Sequence, residues 1–196
     1  MERYKYVGRI TSSKEETYGA CFVSGKVVIT ALHVINTLIE RENDETAYVQ
    51  ITELPGVKIP LVRTIDIFPT EDVIIFELDH PPIEERYYPT AIQSKFLKSL
   101  EVEIYLNRVR WMDYRIEGGG PRGVVSTIVP KGEKVDDRVR RGDSGSPVWL
   151  DDRVVGIVRQ ATSMGEMAFQ PFTKDILEKI PHKIHELGHF SMPYYI

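Results

Sequence analysis

The sequence predicts an all-β protein in two halves, finished by a C-terminal α-helix. Short runs with period-two alternation recur along most of the chain, turn residues separate them at close intervals, and a helical pattern shows at two places only. The expected strands are YKYVGRI (4–10), YGACFVSG (18–25), KVVIT (26–30), AYVQIT (47–52), DVIIFEL (72–78), EVEIYL (101–106), GVVSTIV (123–129), SPVWL (146–150) and RVVGIV (153–158). Strands this short and frequent fit a sandwich or barrel. One helix is expected over Ala31–Ile39. The second starts at Thr173, a natural N-cap, and continues through Asp175, Ile176, Leu177, Ile180 and Ile184, with Pro181 set to kink or divide it. Between 79 and 100 the chain turns polar and proline-bearing (DHPPIEERYYPT), which makes this stretch the candidate linker. The expected units are 1–85, 86–172 and a helical tail, 173–196.

Composition narrows the function classes. At 196 residues the chain is long enough to bury a substantial core. A formal charge of −4, with basic and acidic residues interspersed, argues against nucleic acid as the main partner. No apolar run is long enough to cross a bilayer. The N-terminus carries no apolar signal core, and a single cysteine, Cys21, cannot form an internal disulfide. The expectation is a cytoplasmic protein.

Three segments carry chemistry-bearing residues at strand ends. VVITALHVI delivers His33 as a buried strand turns into a helical start. EDVIIFELD places Asp72 at the opening of an apolar strand; Asp66 and Asp79 are rivals, but neither opens so clean a strand. RGDSGSPVW sets Ser144 in a glycine turn ahead of another strand. Each residue alone has a plain structural explanation, as a strand-end histidine, a turn aspartate and a turn serine. Arg141-Gly142-Asp143 also spells an adhesion tripeptide, but the glycine turn explains it better. Together, in the chain order His, Asp, Ser, they match one of the orders in which a nucleophilic triad occurs. A serine hydroxyl needs a base to take its proton, and the base needs an acid to fix its tautomer. The turn Gly142-Asp143-Ser144-Gly145 also directs the backbone N–H groups of Gly142 and Ser144 toward a developing oxyanion.

TALH around His33, DVIIFEL from Asp72 and GDSGSPVW around Ser144 resemble the three signature blocks of chymotrypsin-like (trypsin-like) serine peptidases, in particular the small cysteine-poor bacterial and viral members. The resemblance implies two six-stranded antiparallel β-barrels, with His33 and Asp72 from the first and Ser144 from the second. It implies peptide-bond hydrolysis through an acyl-enzyme, with no cofactor. Val34 stands where many secreted relatives have a cysteine, and Ser146 replaces a frequent glycine. In zymogen-activated relatives the residue before the serine pairs with a newly cut N-terminal amine. Arg9-Ile10 could imitate such a cut site, yet Ile10 fits better inside the first strand, so Asp143 is expected to be satisfied by another donor or ordered by a partner.

The same resemblance puts the specificity-pocket floor near Arg138 and the substrate strand at Val158-Arg159-Gln160-Ala161. Relatives usually have a serine where Arg159 falls, close to the triad aspartate. Arginines at 138 and 159 favour an acidic substrate side chain; a one-residue loop shift puts Asp137 in the pocket and favours a basic one. A rival motif lies at the C-terminus. His185-Glu186-Leu187-Gly188-His189 matches H-E-x-x-H, the helix spacing that binds zinc and supplies a general base. Only seven residues follow His189, none of them His, Asp, Glu or Cys, and Gly188 reads as a helix end; His182 could add a ligand outside known patterns.

The leading expectation is a serine endopeptidase, narrow in substrate or gated by a partner, in defence, signalling or viral processing. One alternative is a non-catalytic protein-binding module on a protease fold, with Arg159 disabling Asp72. The other is a zinc hydrolase using His185, Glu186 and His189.

Overall fold

The computed structural model describes residues 3–43, 46–52, 54–82, 89–91, 100–106, 110–119, 126–130, 142–161 and 167–180. Alternation along the chain becomes two curled antiparallel sheets. The first contains β1 (Val7–Thr11), β2 (Thr17–Ser24), β3 (Val27–Ala31), β4 (Ala47–Ile51), β5 (Lys58–Leu61), β6 (Arg63–Phe68) and β7 (Val73–Glu77), hydrogen-bonded in the order β5-β4-β1-β2-β3-β7-β6. The second is a closed six-stranded barrel of β8 (Glu101–Leu106), β9 (Arg110–Gly119), β10 (Ser126–Pro130), β11 (Pro147–Leu150), β12 (Arg153–Ala161) and β13 (Met167–Pro171), in the order β10-β13-β12-β11-β8-β9.

The first sheet has seven strands where six are expected, and the reason is local. Strands β5 and β6 are consecutive in the chain and only Val62 parts them, yet β5 pairs with β4 and β6 with β7. One bent run from Lys58 to Phe68 thus bridges the two ends of the sheet and curls it round, so the two counts describe the same half-barrel.

Burial follows the sequence pattern. Strand β4 alternates buried and half-buried residues, as a one-sided strand should, while β3 and β7 are buried nearly throughout because both faces are covered. The main core cluster joins Phe22, Ile29, Leu38, Val49 and Ile75 from the first half to Trp149, Val154 and Ile157 from the second. Helix α1 runs Leu32–Glu42, three residues further than expected, and buries Val34, Ile35 and Leu38 before Asn43 ends it in a left-handed C-cap. Helix α2 (Lys174–Glu178) begins at Thr173, whose side chain accepts the Ile176 N–H at 3.2 Å. Ile176, Leu177 and Ile180 pack into the same cluster, and Lys179 Nζ lies 3.6 Å from Asp66 Oδ2 on β6, so the chain returns to the first sheet after completing the barrel. The continuation of this helix toward Ile184 lies outside the described residues.

The N-terminal residues form a 3₁₀ turn, Arg3–Tyr6, where a strand is expected. Tertiary contacts decide this. The Arg3 guanidinium donates to both Glu103 oxygens at 3.2 Å and to the Asp151 carbonyl oxygen at 3.2 Å, and it lies 5.5 Å over the Trp149 ring. Tyr6 packs on the same indole with ring centroids 6.3 Å apart. The start of the first half is therefore fastened to the second barrel.

Candidate active site

His33 sits in the first turn of α1, at the junction where β3 becomes helix. Ala31 occupies the N-cap position and has no side-chain cap to offer. Asp72 supplies that function from a distant strand end. Its carbonyl oxygen accepts the Leu32 N–H at 3.0 Å and its Oδ1 accepts the His33 N–H at 2.8 Å. A carboxylate here also complements the positive end of the helix dipole. Asp72 adopts a left-handed conformation, φ 59°, which aspartate tolerates better than most residues. That bend turns the carboxylate back toward the helix just before β7 begins.

The second carboxylate oxygen meets the imidazole. Asp72 Oδ2 lies 2.5 Å from His33 Nδ1. An ionised carboxylate can only accept, so in the neutral imidazole Nδ1 carries the proton and Nε2 keeps its lone pair. The Asp72 side chain is 13% exposed and that of His33 46% exposed, which leaves the far side of the ring open. Arg159 Nε stands 4.0 Å from the same Oδ2.

Ser144 lies on the turn before β11, and three hydrogen bonds fix that turn to its surroundings. Ala20 N–H donates to the Ser144 carbonyl oxygen, Gly145 N–H to the Val158 carbonyl oxygen, and Val158 N–H to the Ser146 carbonyl oxygen, each at 2.8 Å. Gly145, at φ 92°, is required on two counts: its backbone is left-handed, and a Cβ would run into the Ala20 carbonyl oxygen and the Thr30 hydroxyl. Gly142 also has positive φ, 100°, with open space around it. Among the described residues the N–H groups of Gly142 and Ser144 make no hydrogen bond, which leaves two donors available beside the hydroxyl. Asp143 is 3% exposed and is held within the chain. Ile10 is buried in β1, paired with Gly19 and Val49, as a strand-interior residue should be.

Ser144 and His33 line one cleft of about 510 Å³, together with Gly142, Glu16, Thr17, Tyr18, Val34, Thr37 and Arg41. Helix α1 delivers His33, Val34, Thr37 and Arg41 to it along a single face. Sequence reasoning missed the far wall, Tyr18, Thr37 and Arg41, because only the packing of β2 beside α1 creates it. A smaller hollow of about 260 Å³ lies beside Arg9, Gln50, Thr52 and Pro55, and among the described residues no histidine or carboxylate lines it.

Tyr18 Oη donates to Glu42 Oε1 at 2.6 Å, and Lys14 Nζ lies 3.7 Å from the other oxygen of Glu42. The hydrogen bond to this carboxylate, aided by partial burial and by the Glu42 and Glu16 charges against the opposing Arg41, pushes the Tyr18 phenol from 10.0 up to about 12. A folded value above the unfolded one stabilises the fold fully below about pH 10, and that stabilisation is lost as pH rises toward 12. In an ultraviolet pH titration one of the ten tyrosines should ionise late, and Glu42→Gln should return it toward 10; an unchanged titration would refute the assignment.

Of the expected substrate-binding residues, Arg159, Gln160 and Ala161 end β12. Arg138, Asp137, His182, His185, Glu186 and His189 lie outside the described residues. Among the described residues no group of three His, Cys, Asp or Glu is placed to hold a metal ion, and no helix is long and apolar enough to cross a membrane.

The two curled sheets, with the His33–Asp72 pair from the first and the glycine turn of Ser144 from the second, have the chymotrypsin-like two-barrel fold of serine proteases. Solved structures of that fold match nearly the whole chain. The catalytically active tobacco etch virus protease complexed with product superposes with a TM-score of 0.65 at 16% identity, covering 92% of this chain and 78% of its own. The active form of the Rv3671c protease from M. tuberculosis gives 0.62 at 19% identity, covering 91% and 80%. The MamO protease domain from Magnetospirillum magneticum gives 0.65 at 13% identity, covering 90% and 96%. No family model and no curated protein matches the sequence.

Proposed function

We propose that this protein is a serine endopeptidase in which Ser144 is the nucleophile, His33 the general base and acid, and Asp72 the orienting carboxylate. The observation that carries the reading is the His33 Nδ1–Asp72 Oδ2 contact of 2.5 Å, set in the cleft that Ser144 also lines. It leaves Nε2 able to accept the Ser144 Oγ proton as Oγ bonds to the scissile carbonyl carbon. The negative charge that develops on the carbonyl oxygen is received by the Gly142 and Ser144 N–H groups. His33 then returns the proton to the leaving amine, and the acyl group remains on Ser144. Water, deprotonated by the same imidazole, releases the acid and restores the hydroxyl.

Substrate is placed extended along Arg159–Ala161. Gln160 and Ala161 pair with β13 on one edge, whereas β11 reaches only as far as Pro147↔Ile157, so the opposite edge is open to strand addition among the described residues. Substrate would therefore be an unfolded segment or a loop, read partly through its backbone.

Arg159 beside Asp72 is the one feature favouring a non-catalytic binding module. The intact imidazole–carboxylate contact weighs against it, since the guanidinium has not displaced His33. A fluorophosphonate probe separates the readings. The protein should take one label, mapped by mass spectrometry to the peptide holding Ser144, and a zinc chelator should not alter it. Absence of label would sink the peptidase reading; chelator-sensitive hydrolysis would point instead to His185, Glu186 and His189.

A further inference from the structure

Against β13, strand β12 bulges at one residue, and that residue is the arginine beside Asp72. Val158 pairs with Phe169 and Gln160 with Ala168, so Arg159 is the extra residue in the β12–β13 ladder. A bulge breaks the alternation of side chains and can aim one out of the pattern. Here it accompanies the approach of Arg159 Nε to 4.0 Å from Asp72 Oδ2, the oxygen that holds His33 Nδ1.

At that distance the two groups form an ion pair without a hydrogen bond. Among the described residues the guanidinium donates no hydrogen bond, and its side chain is 28% exposed. A residue serving only to brace Asp72 would close to bonding distance. This one holds its charge near the carboxylate and, among the described residues, leaves its donor fork without an acceptor. A planar fork in that state suits a second carboxylate, which it can bind with two parallel N–H···O bonds. Meanwhile its positive charge offsets part of the field that Asp72 exerts on the imidazole.

We propose that Arg159 is a specificity-determining residue that reads an acidic side chain of the substrate, and that pairing with that side chain draws the guanidinium off Asp72 and leaves Oδ2 to His33 alone. The inference rests on the serine-peptidase reading and deepens it: the substrate class is an acidic peptide, and recognition is linked to the strength of the orienting carboxylate. A neutral peptide would bind along the same strand edge but leave the restraint in place.

The test begins with a proteome-derived peptide library to find a cleaved sequence, followed by peptides differing only by Glu or Gln on the acyl side of the scissile bond. Wild type should prefer Glu at one position by about 10- to 100-fold in kcat/KM, the range of a hydrogen bond between charged groups. In Arg159→Ser the ratio should fall to about 1, while kcat on the Gln peptide rises several-fold. Arg159→Lys should keep part of the preference, because the charge stays and the fork is lost. Fluorophosphonate labelling of each variant confirms a folded site. A labelled wild type with no Glu preference, or a preference that survives in Arg159→Ser, overturns the assignment. A fall in kcat on the Gln peptide in Arg159→Ser overturns the restraint on Asp72. A wild type that never labels removes the peptidase reading itself, and this inference with it.

Discussion

Replacing Ser144 by Ala is expected to lower kcat for peptide hydrolysis by about 10⁶-fold, replacing His33 by Ala to do the same, and the double variant to lose no more. The reason is that, in the proposed mechanism, the two residues work as one device. Without the hydroxyl the imidazole has no proton to take, and without the imidazole the hydroxyl stays protonated. What remains in each variant is the pair of backbone donors and the bound geometry, worth roughly 10³–10⁴ over water. Neither side chain takes part in the hydrogen bonds that fix the Ser144 turn or start α1, which run through backbone atoms and Asp72. Thermal stability should therefore change little. Single-turnover and steady-state rates on one cleavable peptide check the claim. Losses that multiply in the double variant would show two independent contributions and break the triad apart.

Asp72 should behave differently, because its observed structural contacts and its proposed chemical duty fall on separate atoms. Asp72→Asn keeps an oxygen to accept the His33 N–H, and asparagine accepts the left-handed conformation at φ 59°. Its amide N–H₂, however, would face Nδ1, forcing the proton onto Nε2 and removing the base. Activity should fall by about 10⁴-fold. Stability should fall by only about 0.3–1 kcal/mol, the value of one charge at a helix N-terminus. Asp72→Ala should be as inactive and less stable by a further ~1 kcal/mol or more, since the cap goes as well. Urea denaturation of the two variants beside the rate measurement tests the division of labour. Equal stabilities would show that Asp72 does not cap the helix; an Asn variant keeping a tenth of the activity would show that it does not set the tautomer.

The three chemistry-bearing blocks were legible because each announces itself locally: a strand running into a histidine, an aspartate opening an apolar strand, a serine between glycines. The barrels were partly legible for the same reason. Strands β5, β9 and β13 escaped notice because their own sequences argue weakly for a strand, and β6 (RTIDIF) escaped notice although its alternation argues for one. Strand β5 contains Pro60, β9 carries two arginines, an aspartate, a glutamate and two glycines, and β13 ends in Pro171. Pairing with neighbouring strands overrides such preferences, and a strand's own residues do not display that pairing. The bulge at Arg159 was illegible too, since an extra residue shows only against the opposing strand. One missed signal did lie in the sequence. The helix after TALH begins with no Ser, Thr, Asp or Asn at Ala31, and an uncapped start in a buried junction asks for an acceptor from elsewhere.

Asp72's two duties bear on how descendants of this chain would decay. If the chain cuts peptides as proposed, then in a copy released from that need the described turn and helix start use neither the hydroxyl of Ser144 nor the ring of His33, and drift would erase them first. The aspartate would outlast them, because losing it unpins the start of α1. An inventory of such copies should therefore find the acid without its serine more often than the serine without its acid. In that lineage an intact aspartate would testify to inheritance, and only the serine to use.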